Sequence, residues 1–143
     1  MTGPVLGLDL GTRRIGLAIS NPEGTLAFPA GHLDRVGRTR DIEALCALVR
    51  ERDVSCIVVG LPIHMSGRSG KAAESARAFA RSLEEATEKP VEMMDERWTS
   101  LEAERSLRDA PRAKKREKGN VDAIAATLLL RTWLEQRQGG ASG

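Results

Sequence analysis

Aromatic side chains are scarce in this 143-residue chain, which has two Phe, two Trp and no Tyr. A surface that holds single-stranded nucleic acid by stacking successive bases needs several such rings, so that mode is disfavoured and any nucleic-acid contact falls mainly on the backbone. Cysteine is equally sparse. Cys46 and Cys56 stand in apolar surroundings without the spacing of a zinc site or a redox pair, and core packing is their reading ahead of a disulfide. No apolar run approaches the ~20 residues of a membrane span. No internal repeat or linker divides the chain, so one domain over residues 1–138 is expected, with 139–143 as a disordered tail. The opening residues lack a basic stretch, apolar core and cleavage site, and a cytoplasmic protein with no membrane partner is expected. The net charge is only +2, too small by itself to argue for a polyanionic partner.

What is present is an alternation of strand and helix signals. Val5 to Gly11 reads as a strand in which Leu6, Leu8 and Leu10 share one face while Val5, Gly7 and Asp9 share the other. Ile15–Ser20 and a weaker run from Thr25 to Leu33, separated by a turn at Asn21-Pro22-Glu23-Gly24, complete an antiparallel meander. Ile42, Leu45, Cys46 and Val49 then fall at helical spacing, and Val54–Gly60 is a buried strand. After a loop from His64 to Gly70, a helix carries Ala73, Ala76, Phe79, Ala80 and Leu83 on one side and ends before Pro90. Val91–Asp95 is a fifth strand, and Thr99 with Glu102 forms a capping box for another helix. Asn120 reads as the cap of a last helix whose buried stripe is Val121, Ile124, Ala125 and Leu128. This order predicts an α/β domain with a mixed five-stranded sheet flanked by helices.

Asp9 lies where a strand leaves an apolar sheet, and a carboxylate there is expensive unless it is paired, hydrogen-bonded or bound to a cation. Asp95 and Glu96 end the last strand, and Asp122 lies in the expected first turn of the last helix. With β1 central, the three places can share one edge of the sheet. Carboxylates in such a group suit Mg²⁺ or Mn²⁺, hard ions that take oxygen ligands. Two such ions about 4 Å apart can activate water and stabilise the leaving oxygen of a phosphodiester, so no side-chain nucleophile is required. Each acid also has a plainer reading: a turn cap for Asp9, an ion pair with Arg97 for Asp95 or Glu96, and a helix-dipole partner for Asp122.

Four segments carry a resemblance that spans nearly the whole chain: Leu8-Asp9-Leu10-Gly11-Thr12-Arg13-Arg14-Ile15-Gly16-Leu17-Ala18, Val59-Gly60-Leu61-Pro62, Asp95-Glu96-Arg97, and Gly119-Asn120-Val121-Asp122-Ala123-Ile124-Ala125-Ala126. In this order they resemble the motifs of the YqgF/RuvX family. The resemblance implies an RNase H-like fold related to the RuvC resolvases, and a metal-dependent nuclease that matures the 5′ end of the small-subunit ribosomal RNA precursor. It implies Asp9, Glu96 and Asp122 as the catalytic, metal-holding acids, with Asp95 the alternative to Glu96, since a shift of one residue swaps which acid faces the site. Two departures stand at the rim. His64-Met65-Ser66-Gly67 replaces a more usual Asn-Met-Asp/Asn-Gly, and Trp98 occupies a place more often aliphatic or Phe.

Arg13 and Arg14, in the turn beside Asp9, are candidates to clamp a phosphate. His64 and Arg97 are further candidates for nucleic-acid contact. The basic run Arg112, Lys114, Lys115, Arg116 and Lys118 precedes Asp122 directly and so belongs at the mouth of the same site, where it can guide a polyanion inward. Pre-rRNA is the expected partner and branched DNA the alternative, with a non-catalytic RNA-binding assembly module as a further one. The Asp9-Leu10-Gly11-Thr12 turn is also similar to the first phosphate loop of actin-like ATPases, but a single lobe of this length lacks the second loop that closes on ATP. A monomer or weak homodimer is expected.

Overall fold

The structure, a computed structural model, describes residues 3–11, 13–61, 70–95 and 115–141, the stretches 115–121 and 138–141 through their backbone only. These residues form β1 (Val5–Leu10), β2 (Arg14–Ser20), β3 (Ala27–Asp34), α1 (Arg38–Glu51), β4 (Cys56–Leu61), α2 (Gly70–Thr87), β5 (Val91–Asp95) and α3 (Lys115–Ala141). The strands make one sheet in the order β3-β2-β1-β4-β5. Neighbours pair antiparallel on the β3-β2-β1 side and parallel on the β1-β4-β5 side. The expected mixed α/β sheet is therefore present, with β1 at its centre. Helix α2 supplies the crossover that the parallel pair β4 and β5 requires, and the C-terminal ends of β1, β4 and β5 share one edge.

Strand alternation sorts the core into two layers. Leu6, Leu8, Ile15, Leu17, Ile57 and Val59 pack on one face against Leu45 and Val49 of α1 and Phe79 and Leu83 of α2. Val5, Ala18, Cys56, Val58 and Met94 pack on the other against Ala125, Ala126, Leu129, Leu130, Trp133 and Leu134 of α3. Each fully buried Leu or Ile contributes about 1.5–3 kcal/mol, so both faces are firmly specified. The face read for α2 is the buried one. β3 begins later than Thr25 because the Asn21 side-chain oxygen accepts hydrogen bonds from the Thr25 and Leu26 N–H groups at 2.9 and 3.0 Å, holding both in the turn.

Helix α3 departs from its expected form. It starts at Lys115, so Asn120 lies inside it rather than capping it, and it continues to Ala141, past the Gly139 at which a tail was expected. Its buried face is also rotated: Ile124 is 44 % exposed while Ala125, Ala126, Leu129 and Leu130 are fully buried. The cause is close approach to the sheet. A Cβ on Gly7 would lie 2.9 Å from the Leu130 Cβ and 3.3 Å from the Ala126 carbonyl oxygen, and a helix this near the strands must present small side chains at the contact. Among the described residues no helix is long and apolar enough to cross a membrane. The helix expected from Thr99 and Glu102 lies outside the described residues.

Candidate functional site

The site begins with one row across the sheet. Asp9 of β1 is opposite Gly16 of β2, and Gly60 of β4 is opposite Met94 of β5. Leu8 is paired with Val59, so the next step of that register sets Gly60 on the other side of Asp9. Alternation puts Asp9 with Val5 and Gly7, Gly16 with Ala18, and Gly60 with Cys56 and Val58, all on the α3 face. Asp9 is thus fully buried, and the strands on both sides of it carry no side chain at its level.

Asp122 is delivered to the same place by α3. A Cβ on Gly16 would overlap the Asp122 carbonyl oxygen and lie 3.2 Å from the Asp122 Cα. The α3 backbone at Asp122 therefore rests directly on Gly16, the residue paired with Asp9. Residues opposite each other in an antiparallel pair are ~5 Å apart, so two acids separated by most of the chain meet in one layer. Asp122 is 2 % exposed. Since α3 starts at Lys115, Asp122 sits about two turns inside the helix. The helix-dipole reading falls with that, because the dipole effect is confined to the first turn.

Arg14 opens β2 on the same face. Its Nε donates to the Asp122 Oδ2 at 2.7 Å, and the two side chains are 14 % and 3 % exposed. A second arginine fixes the turn that follows Asp9. Arg35 donates from Nη1 to the Gly11 carbonyl oxygen at 2.8 Å, places Nε 3.6 Å from Oδ2 of buried Asp41, and lies over the Phe79 ring. The β1–β2 turn is thereby tied to both α1 and α2.

The other candidates divide by location. Arg13 is exposed in the turn. Asp95 has the parity of Val91 and Met93, which pack toward α1 and α2, whereas Met94 faces α3; Asp95 is therefore on the side of the sheet away from Asp9. Lys115, Arg116 and Lys118 lie in the first turns of α3. His64, Glu96, Arg97, Trp98 and Lys114 lie outside the described residues. Sequence reasoning missed Gly16, Gly60, Arg35 and Asp41. A glycine inside an apolar strand is a signal for close backbone approach, and Gly16 carried it.

Two buried carboxylates in one layer, each an oxygen donor, have the chemistry that a hard divalent cation takes. The guanidinium on Asp122 fits as well, since it shows that this pocket accepts positive charge against a buried carboxylate. Among the described residues no group of three His, Cys, Asp or Glu side chains gathers as a metal site, so the described share of any such site is the pair Asp9 and Asp122.

A family model described as "RuvX: Holliday junction resolvase" matches residues 3–136. A protein of Crocosphaera subtropica named "Putative pre-16S rRNA nuclease" is 42% identical over 133 residues, covering 93% of each chain. One of the same name from Koribacter versatilis is 43% identical over 135 residues, covering 94% of this chain and 88% of its own. Among solved structures, the Thermus thermophilus RuvC in complex with Holliday junction substrate superposes with a TM-score of 0.60 at 13% identity, covering 96% of both chains. At that identity the likeness is one of fold, and it makes the fold RNase H-like.

Proposed function

This chain belongs to the RuvX family, and from that premise we propose that it is a divalent-metal-dependent nuclease that hydrolyses phosphodiester bonds and processes the 5′ end of pre-16S rRNA. The observation that carries the reading is the convergence of Asp9 and Asp122 over the Gly16–Asp9 pair. A protein that needed only a stable sheet would place apolar side chains there, because a buried carboxylate is costly without a compensating charge or ligand.

Asp9 and Asp122 would hold Mg²⁺ or Mn²⁺, with Glu96 as the third acid. The parity of Asp95 supports Glu96 over Asp95. Such ions supply polarisation of the scissile phosphate and activation of the attacking water. The chain's own residues do the rest. The row Gly16–Asp9–Gly60 lets α3 come close enough to β1 to bring Asp122 to Asp9, and burial of both acids raises the strength of each charge interaction by excluding water. Arg35 keeps the Gly11 turn in place, which orients Arg13 at the rim as a phosphate contact. Lys114, Lys115, Arg116 and Lys118, with His64 and Arg97, form the proposed path for the polyanion, a contact that is electrostatic and independent of sequence.

Curated relatives named as pre-16S rRNA nucleases support RNA as substrate. The family's description supports a second reading, cutting of a four-way DNA junction. The deciding experiment is cleavage of a ribosomal RNA precursor fragment and of a four-way junction in Mg²⁺ or Mn²⁺, by wild type and Asp9→Asn. Cleavage of the RNA that disappears in Asp9→Asn is the expected result. Cleavage of the junction alone moves the assignment to a resolvase, and RNA binding without cleavage by wild type moves it to an assembly factor.

A further inference from the structure

We propose that Arg14 is an internal stand-in for the divalent cation: it neutralises Asp122 when no metal is bound and gives up that carboxylate oxygen when metal arrives. The inference rests on the reading of Asp9 and Asp122 as metal-holding acids, and goes beyond the phosphate-clamp role that the turn position suggests for this arginine.

Three observations carry it. First, the contact is a close charge-assisted hydrogen bond, 2.7 Å from Nε to Oδ2, between side chains 14 % and 3 % exposed. An arginine recruited to meet phosphate from solvent would reach outward, as the exposed neighbour Arg13 does. Second, the sheet directs Arg14 inward. It has the parity of Gly16 and Ala18 and lies two pairs from the Asp9–Gly16 row, so its guanidinium is on the face that holds both acids. Third, the contact spans 108 residues of sequence and fastens the part of α3 that rests on Gly16. Losing the guanidinium would take a close opposite charge from a buried carboxylate, and half-broken buried pairs are strongly destabilising. A metal ion that takes Oδ2 must displace the guanidinium from it, and one that takes Oδ1 still meets the repulsion of a full positive charge on the same carboxylate. Arg14 and the metal are therefore negatively coupled through Asp122, and the coupling is reciprocal. The consequence is a preformed pocket: α3 and Asp122 hold their positions before metal binds, and metal affinity is moderated.

The test is Mn²⁺ binding and thermal unfolding of wild type, Arg14→Gln and Arg14→Lys, with and without Mg²⁺. Arg14→Gln is expected to bind Mn²⁺ more tightly by a factor of about ten, to melt at a lower temperature than wild type in chelator, and to gain more from added Mg²⁺. Arg14→Lys, which keeps the charge, is expected to bind Mn²⁺ more like wild type. A role confined to orienting Asp122 predicts the opposite, weaker Mn²⁺ binding in Arg14→Gln, and that result overturns the proposal. Should Arg14→Gln fail to fold, the Nε–H resonance of Arg14 in ¹⁵N-labelled wild type decides: a change in its shift and exchange on saturation with Mg²⁺ supports the proposal, and an unmoved resonance overturns it. Wild type that binds no Mn²⁺ at all removes the metal reading and the proposal with it, whereas binding with an unmoved Arg14 removes the proposal alone.

Discussion

Gly16→Ala should separate the chemistry of the site from the stability of the fold. The added methyl would overlap the Asp122 carbonyl oxygen and lie 3.2 Å from its Cα, whereas carbon atoms at rest sit about 3.5–4.0 Å apart. Because the clash is with helix backbone rather than a mobile side-chain tip, α3 has to withdraw by roughly 1 Å at this point. Overpacking of this kind destabilises by about 1–3 kcal/mol, and a misplacement near 1 Å in a catalytic group lowers the rate by about 100-fold. Gly7→Ala is the matched control. Its methyl would sit 2.9 Å from the Leu130 Cβ and 3.3 Å from the Ala126 carbonyl oxygen, which disturbs the same helix about one to two turns farther along from Asp122. Urea melts combined with cleavage rates on whichever substrate the wild type cuts should show both variants folded and destabilised, with Gly16→Ala losing far more activity. Wild-type rates for a folded Gly16→Ala, or an equal loss in Gly7→Ala, would refute the claim that helix approach at Gly16 sets the position of Asp122.

The rotated face of α3 predicts that Ile124→Lys changes stability by no more than about 0.5 kcal/mol, since Ile124 is 44 % exposed, while Leu129→Ala costs about 2–5 kcal/mol; denaturant midpoints reversed between the two would restore the stripe first read from the sequence. Burial, reinforced by the Glu92 carboxylate, pushes the Cys56 thiol up to about 11. At pH 8 that leaves roughly one part in a thousand as the reactive thiolate, so alkylation of the native protein should label half-buried Cys46 and leave Cys56 unmodified by mass spectrometry until pH rises toward 11 or the chain unfolds. Rapid labelling of Cys56 in folded protein at pH 8 would show that the environment of β4 is more open than its burial implies.

Much of this was legible because the relevant physics is local. The alternation of Leu6 and Leu8 against Val5, Gly7 and Asp9 requires only the period of a strand, and it correctly assigned Asp9 to the face opposite the leucines. The α2 face was equally plain, since Phe79 and Leu83 are large and their helical spacing is unambiguous. The α3 face was not. Among the alanines before Leu128, Leu129 and Leu130 only Val121 and Ile124 are large and apolar, and three consecutive leucines fit more than one helical face. What settled the rotation was the distance of the helix from the sheet, a tertiary quantity fixed by Gly7 and Gly16. The Asp122 contact of Arg14 was hidden for a related reason: a turn arginine has no partner visible within its own stretch of sequence, and the oxygen it meets belongs to a residue 108 positions away.

Helix α3 carries two duties at once, and that ties stability to chemistry in this fold. From Ala125 to Leu134 it supplies the core of one whole face of the sheet. At Asp122 the same rigid backbone holds a buried acid over the Asp9–Gly16 pair and receives Arg14. A helix moves as a body, so loss of packing at Leu129 or Trp133 displaces Asp122 through the intervening turns. The apolar contacts absorb a small shift gradually, because dispersion spreads over many atoms. The carboxylate geometry tolerates it poorly, because charge-assisted hydrogen bonds and metal coordination depend on a few short distances. Mutations in the α3 core should therefore lower activity under conditions where the protein is still almost fully folded, and the loss should follow how far each change lets the helix lift from Gly16 rather than how much apolar area it removes.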